Sequence, residues 1–188
     1  MVKKAIFLDR DGCLIKEKNY LSKIEDIEIF DEAYVALKSF QDAGFLLFIV
    51  SNQSGVARGY FTENDVLNVN NEIINRFKDK GIIIAKSYYC PHLKEGIIKE
   101  YAIDCECRKP KIGLIKQAIA DFSDIDLSKS FVIGDKLSDI QLAHNASMQG
   151  ILVKTGHGQE EVSKIELKNI QPDYICENIA NSADFILE

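Results

Sequence analysis

Short apolar runs alternate with helically spaced apolar positions along the chain, and the alternation predicts its elements. Ala5–Asp9 is an apolar run that passes into Asp9-Arg10-Asp11-Gly12, the pattern of a buried strand entering a loop. Ala33, Ala36, Leu37 and Phe40 share one helical face, and Gly44 suits the helix stop. Phe45–Val50 reads as a second buried strand, leading into Ser51-Asn52-Gln53-Ser54-Gly55. Thr62 is placed to cap a helix with Val66, Val69, Ile73 and Phe77 on its apolar face and Gly81 as its stop. Ile82–Tyr89, Ser130–Ile133, Gly150–Val153 and Tyr174–Cys176 complete the expected strands. Helices are expected over Ile112–Phe122, Ser138–Asn145 and Ile179–Leu187.

Strands alternating with helices predict an α/β fold, a doubly wound, Rossmann-like parallel sheet covered on both faces. No repeat, low-complexity tract or Pro/Gly-rich linker interrupts it, so one domain over residues 1–188 is expected. In such sheets ligands bind beyond the carboxyl ends of the strands. The polar segments after the strands ending near Asp9, Val50 and Ile133 are therefore expected to meet on one rim.

Composition narrows the class. The 188 residues are 46% hydrophobic and 28% charged, with a net charge of −6. That balance suits a globular chain with its own core. It excludes binding of nucleic acid or an acidic membrane surface through bulk charge. No apolar run is long enough to span a bilayer, and Ala5–Leu8 is too short for a signal-peptide core. A cytoplasmic monomer is expected. Arginine is scarce: of Arg10, Arg58, Arg76 and Arg108, three lie in the polar segments, where a planar fork is useful.

The chemistry is concentrated at the strand ends. Asp9 and Asp11, with Asp135 from another strand end, form an oxygen-ligand set for Mg²⁺. Beside that cation Asp9 can attack a phosphate ester, while Asp11 protonates the leaving oxygen and later activates water. Taken alone, Asp-x-Asp-Gly is also ordinary turn chemistry. The Ser51 hydroxyl and the backbone N–H groups of Asn52, Gln53 and Ser54 can bind phosphoryl oxygens. Lys109 can offset charge on a transferring phosphoryl group, and Arg108 can grip a second anion with two donors.

A separate cluster points to a second metal. Cys90-Pro91-His92 and Cys105-Glu106-Cys107 offer three thiolates and an imidazole, a closed tetrahedral set that suits structural Zn²⁺. The clip would fix a long loop and hold Arg108 and Lys109 at the rim. Cys176 is expected to be an ordinary buried cysteine, and His144 and His157 receive no role.

In this order, DRDG at 9–12, Ser51, Lys109 and GDKLSD at 134–139 resemble the four motifs of haloacid dehalogenase-like phosphatases. SNQSGVARGYF at 51–61 and CRKP at 107–110, with the zinc-loop pattern, are similar to the heptose 1,7-bisphosphate 7-phosphatase branch. The resemblance runs from about residue 5 to about 155 and implies a member without a large cap domain. It implies a phosphorylated sugar as substrate, in nucleotide-activated heptose (lipopolysaccharide core) biosynthesis. Asp9 would be the nucleophile, Asp11 the acid and base, and Ser51 and Lys109 the phosphoryl stabilisers, with Arg108 aiding recognition. Mg²⁺ would rest on Asp9, the Asp11 backbone carbonyl and Asp135, with Asp139 just behind them. Glu17, Lys18, Asn19 and Tyr20 match a substrate-contacting loop of that branch. Cys13 stands where the first motif usually has threonine.

Three other readings compete. Histidinol-phosphate phosphatases share DRDG, the zinc loop and CRKP, but usually carry an acid after Asn-Gln, where this chain has Ser54. A phospho-acceptor signalling module needs a long-lived aspartyl phosphate, which Asp11 is placed to hydrolyse. A nucleic-acid end-processing phosphatase finds no basic and aromatic patch here.

Overall fold

The computed structural model describes residues 2–188. Six parallel strands, β1 (Lys4–Leu8), β2 (Phe45–Asn52), β3 (Ile84–Cys90), β4 (Phe131–Gly134), β5 (Gln149–Val153) and β6 (Tyr174–Cys176), form one sheet in the order β3-β2-β1-β4-β5-β6. The helices are α1 (Asp31–Asp42), α2 (Glu63–Asp79), α3 (Gly113–Asp121), α4 (Leu137–Asn145), α5 (Gly158–Val162), α6 (Ile165–Lys168) and α7 (Ser182–Ile186).

The alternation of side chains along a strand divides the core between the two faces of the sheet. Ile6, Leu8, Leu47 and Ile49 pack with Leu37 and Phe40 of α1 and with Ile73 and Phe77 of α2. Ala5, Phe7, Phe48 and Val50 pack the other way, with Leu114 and Ile115 of α3 and Leu142 of α4. Each fully buried Leu, Ile or Phe contributes about 1.5–3 kcal/mol of transfer free energy. The helix caps follow the expected logic: Thr62 Oγ1 accepts from the Asp65 N–H at 3.2 Å, while Asp65 Oδ2 accepts from the Thr62 N–H at 2.8 Å.

Some boundaries differ from the sequence expectation. β2 continues through Ser51 and Asn52, which pair with Tyr89 and Cys90 of β3, so Ser51 is a strand residue and not a loop residue. The expected closing helix is a 3-10 turn at Ile179–Asn181 followed by α7. α5 and α6 were not expected, because they bury only Gly158 and Glu161, and nothing, respectively. No helix among the described residues is long and apolar enough to cross a membrane.

β1 lies between β2 and β4: the chain runs outward from β1 through β2 to β3, then crosses back to β4 on the other side. A crevice must open at its carboxyl end. The excursion between β1 and α1, residues 9–30, contains only a short 3-10 turn at Ile24–Asp26, so no large cap covers that crevice.

Candidate active site

The crevice is a cleft of about 420 Å³ lined by residues from several strand ends, among them Asp9, Asp11, Ser54, Arg108, Lys109 and Lys136. Asp9 follows β1 directly, and its N–H extends the ladder to the Ile133 carbonyl at 2.8 Å. Its side chain is thereby held at the floor, only 5% exposed.

Lys109 reaches the same floor from the loop before α3. Its Nζ lies 2.8 Å from Asp9 Oδ1, 2.6 Å from Asp139 Oδ1 and 2.9 Å from the Val50 carbonyl. Burial opposes its charge, but Asp139 and Asp9 outweigh that and hold its pKa above the usual lysine value. Burial also opposes ionisation of Asp9, and Lys109 with Lys136 reverses the balance, leaving its pKa lowered. Asp9 therefore presents the carboxylate that a nucleophile requires. Asn52 sets the height of Lys109: its Oδ1 accepts from the Lys109 N–H at 3.0 Å, and its Nδ2 donates to the Lys109 carbonyl at 3.2 Å.

Asp135 closes the far wall at the end of β4, fully buried. Its Oδ2 accepts from the His157 N–H at 2.8 Å, and its Oδ1 has no hydrogen-bond partner. Burial and the neighbouring Asp9 charge push its pKa up to about 8, and burial moves Asp139 up to about 6. Carboxylate oxygens of Asp9, Asp135 and Asp139 all lie within 4.8 Å of one another. Three crowded acids and an orphaned oxygen fit a hard divalent cation such as Mg²⁺. The Asp11 carboxylate is not in that set; it is engaged by Arg10 and Gln53.

Asp135 sits against two glycines in the left-handed backbone region, Gly12 (φ 85°) and Gly156 (φ 56°). A Cβ on Gly156 would lie 2.3 Å from Asp135 Oδ2 and 2.5 Å from the Gly12 Cα. Gly156→Ala is expected to lower kcat by about tenfold or more and stability by about 2 kcal/mol, through clash and strained backbone together. Urea unfolding and steady-state kinetics check both. Sequence reading missed this loop. Thr155 Oγ1 donates to the Gly12 carbonyl at 2.6 Å, and His157, given no role, also lines the cleft.

The remaining expected residues divide. Ser51 is fully buried with an unpartnered Oγ, a donor with no protein acceptor. Gln53 lies in the cleft wall with its amide tied to Arg10 and Asp11. Asn52 and Gln53 each keep one amide N–H for a ligand. Glu17, Asn19 and Tyr20 line the mouth, with Asn19 and Tyr20 in positive-φ conformations (45° and 70°). Lys18 does not line the cleft; it turns away to Glu28, whose carboxylate draws it to the surface. Lys136, not singled out from sequence, stands 3.7 Å from Asp135 Oδ1 and 3.8 Å from Glu17 Oε2. Cys13 Sγ donates weakly to the Ile133 carbonyl at 3.7 Å, so cysteine makes a local hydrogen bond at that place.

The four expected zinc ligands converge. Cys107 Sγ is 3.1 Å from Cys90 Sγ and 3.3 Å from Cys105 Sγ, Cys90 to Cys105 is 3.4 Å, and His92 Nδ1 is 3.3 Å from Cys107 Sγ. Bonds of about 2.3 Å to sulfur and about 2.0–2.1 Å to nitrogen give tetrahedral edges of roughly 3.5–3.8 Å, so a slight expansion admits Zn²⁺. Arg108 is tied to this cluster by an NH1 bond of 3.1 Å to the His92 carbonyl, and it faces the cleft.

Known proteins are similar to this chain. A family model described as HAD-hydrolase-like matches residues 106–182. The D-glycero-alpha-D-manno-heptose-1,7-bisphosphate 7-phosphatase of Photorhabdus laumondii is 44% identical over 159 residues, 84% of this chain and 86% of that relative. The D-glycero-beta-D-manno-heptose-1,7-bisphosphate 7-phosphatase of Pasteurella multocida is 41% identical over 181 residues, 96% and 95% of the two chains. The chain belongs to the heptose-1,7-bisphosphate 7-phosphatase family. As a member of that family it is a phosphoric monoester hydrolase with a haloacid dehalogenase-like fold. The family layout extends to a solved structure, D,D-heptose 1.7-bisphosphate phosphatase from B. bronchiseptica complexed with magnesium and phosphate. It aligns with a TM-score of 0.82 at 26% identity, covering 98% of each chain.

Proposed function

We propose that the chain removes the C7 phosphate of D-glycero-D-manno-heptose 1,7-bisphosphate, leaving heptose 1-phosphate, through an aspartyl phosphate on Asp9. The observation that carries the reading is the buried Asp9 carboxylate, 2.8 Å from Lys109 Nζ at the floor of a cleft that also presents Asp11 and Arg108. An Asp9 oxygen attacks phosphorus as the bond to the C7 oxygen breaks, and Asp11 protonates that oxygen. Asp11 then takes a proton from water as water displaces Asp9 from phosphorus and releases inorganic phosphate. Lys109 and the Ser51 hydroxyl offset charge on the phosphoryl oxygens. Asp9, Asp135 and the Asp11 backbone carbonyl would hold Mg²⁺, which would offset the repulsion between the ester and its nucleophile.

Arg108 spends one guanidinium N–H on the His92 carbonyl, which leaves four for a ligand. It is suited to fork onto the second phosphate while Lys109 serves the one transferred. The bisphosphate is expected to exceed heptose 7-phosphate in kcat/KM by at least about tenfold, near 1.4 kcal/mol. Arg108→Ala is expected to shrink that gap by weakening the bisphosphate. Equal rates for both esters in the wild type would remove the recognition role.

Phosphate release from both anomers of the bisphosphate and from histidinol phosphate tests the substrate. Relatives are named for the α and for the β anomer, so the two are compared directly. Faster turnover of histidinol phosphate would overturn the heptose assignment. The proposal takes residues 1–188 as one domain, acting as a cytoplasmic monomer without nucleic-acid or membrane partners.

A further inference from the structure

Arg10 has the largest side chain among the fully buried residues, 1% exposed, and the mechanism above gives it nothing to do. Its donors are distributed with little waste. Nε donates to Asp11 Oδ2 at 3.0 Å, and NH2 donates to Asp11 Oδ1 at 3.1 Å and to Gln53 Oε1 at 2.9 Å. NH1 donates to Asn70 Oδ1 on α2 at 2.9 Å. Gln53 completes a ring, because its Nε2 donates to Asp11 Oδ2 at 2.9 Å. Only one orientation of the Gln53 amide satisfies a guanidinium on one side and a carboxylate on the other.

The ring treats the two oxygens of Asp11 unequally. Oδ2 receives two donors and Oδ1 receives one. A carboxylate oxygen has two lone pairs, so Oδ2 is saturated and Oδ1 keeps one free. The Asp11 side chain is 16% exposed, and it lines the cleft.

We propose that Arg10, seated by Gln53 and Asn70, is a positioning residue that fixes the Asp11 carboxyl and leaves Oδ1 as the atom that transfers the proton. In the first step Oδ1–H gives its proton to the leaving alkoxide oxygen as the P–O bond breaks. In the second, Oδ1 takes a proton from water as the water oxygen bonds to phosphorus and the Asp9–phosphorus bond breaks. Arg10 keeps its own protons throughout. The inference rests on the proposed role of Asp11 as acid and base.

The test compares two leaving groups by rapid-quench measurement of phosphoenzyme formation, with Mg²⁺ and zinc present. The sugar ester needs its leaving oxygen protonated, whereas p-nitrophenyl phosphate releases a stable phenolate without help. Arg10→Lys keeps the charge and loses the fork; Gln53→Met, at the cleft wall, removes both the donor to Asp11 Oδ2 and the acceptor of Arg10 NH2. Both are expected to slow phosphoenzyme formation from the sugar ester at least about tenfold more than from the nitrophenyl ester. Asn70→Leu is expected to lose more than Asn70→Asp, which still accepts from NH1. Equal slowing of the two esters, no slowing, or acceleration of the sugar ester overturns the positioning role. Asp11→Asn is run beside them: if it fails to discriminate the leaving groups, the acid role of Asp11 falls first, and the failure is not assigned to Arg10.

Discussion

Asp9→Asn is expected to lower turnover by at least about a thousandfold, because it replaces the attacking oxygen with a non-nucleophilic amide. The substitution nearly preserves shape, and an amide oxygen can still accept the 2.8 Å bond from Lys109 Nζ. It also removes one negative charge from the group formed with Asp135 and Asp139. The Asp9 charge is a cause of the raised Asp135 pKa, second only to burial. Relieving that repulsion is expected to leave the thermal midpoint unchanged or slightly raised, with zinc content unaltered. The combination separates a missing nucleophile from a damaged fold. Activity above a few per cent of wild type in magnesium-replete buffer would sink the covalent route. Asp11→Asn is expected to be nearly as slow while accumulating phosphoenzyme, since the second step then lacks its base.

Cys107→Ser is expected to release the zinc and to lower kcat by about ten- to a hundredfold without touching a reacting atom. Cys107 is the hub of the cluster, within 3.3 Å of two thiols and the imidazole, and its neighbours in sequence are Arg108 and Lys109. Residues 91–112 contain no helix or strand, so the metal must do what regular hydrogen bonding does elsewhere. Displacing a charge-stabilising group by about 1 Å can cost about a hundredfold in rate. Elemental analysis and steady-state kinetics on the same sample decide it. Zinc-free protein with wild-type kinetics would show that Lys109 is held by Asn52 and the acids alone.

The strand ends and the zinc ligands were legible because each carries its chemistry in consecutive residues. A buried run followed at once by Asp9, by Ser51 or by Asp135 places those side chains on the rim by topology alone. The Gly156-His157 segment was not legible. It reads as a turn until β5 lies beside β4 and brings the loop against Asp135. Gln53 and Lys18 show a different limit. Sequence placed both near the cleft, but side-chain direction is decided by partners distant in the chain, Arg10 and Glu28. Of the three arginines in the polar segments, Arg10 uses its planar fork, engaging both oxygens of Asp11.

The zinc loop has fixed feet and a lightly tied span. Cys90 and His92 anchor its start, Cys105 and Cys107 its end, and the Asn52 amide locks the Lys109 peptide just beyond. Between the feet the span meets the body at a few points: the Ile97 and Ile98 N–H groups donate to the Ala57 carbonyl, their side chains lie over Gly59, and Tyr101 Oη donates to Glu63 of α2. Changes of length or composition in residues 93–104 would thus leave Lys109 where it is while redrawing the ground beside the cleft. That makes the arc an exchangeable part, one on which descendants of this scaffold can diverge in what they admit without rebuilding how they cleave it.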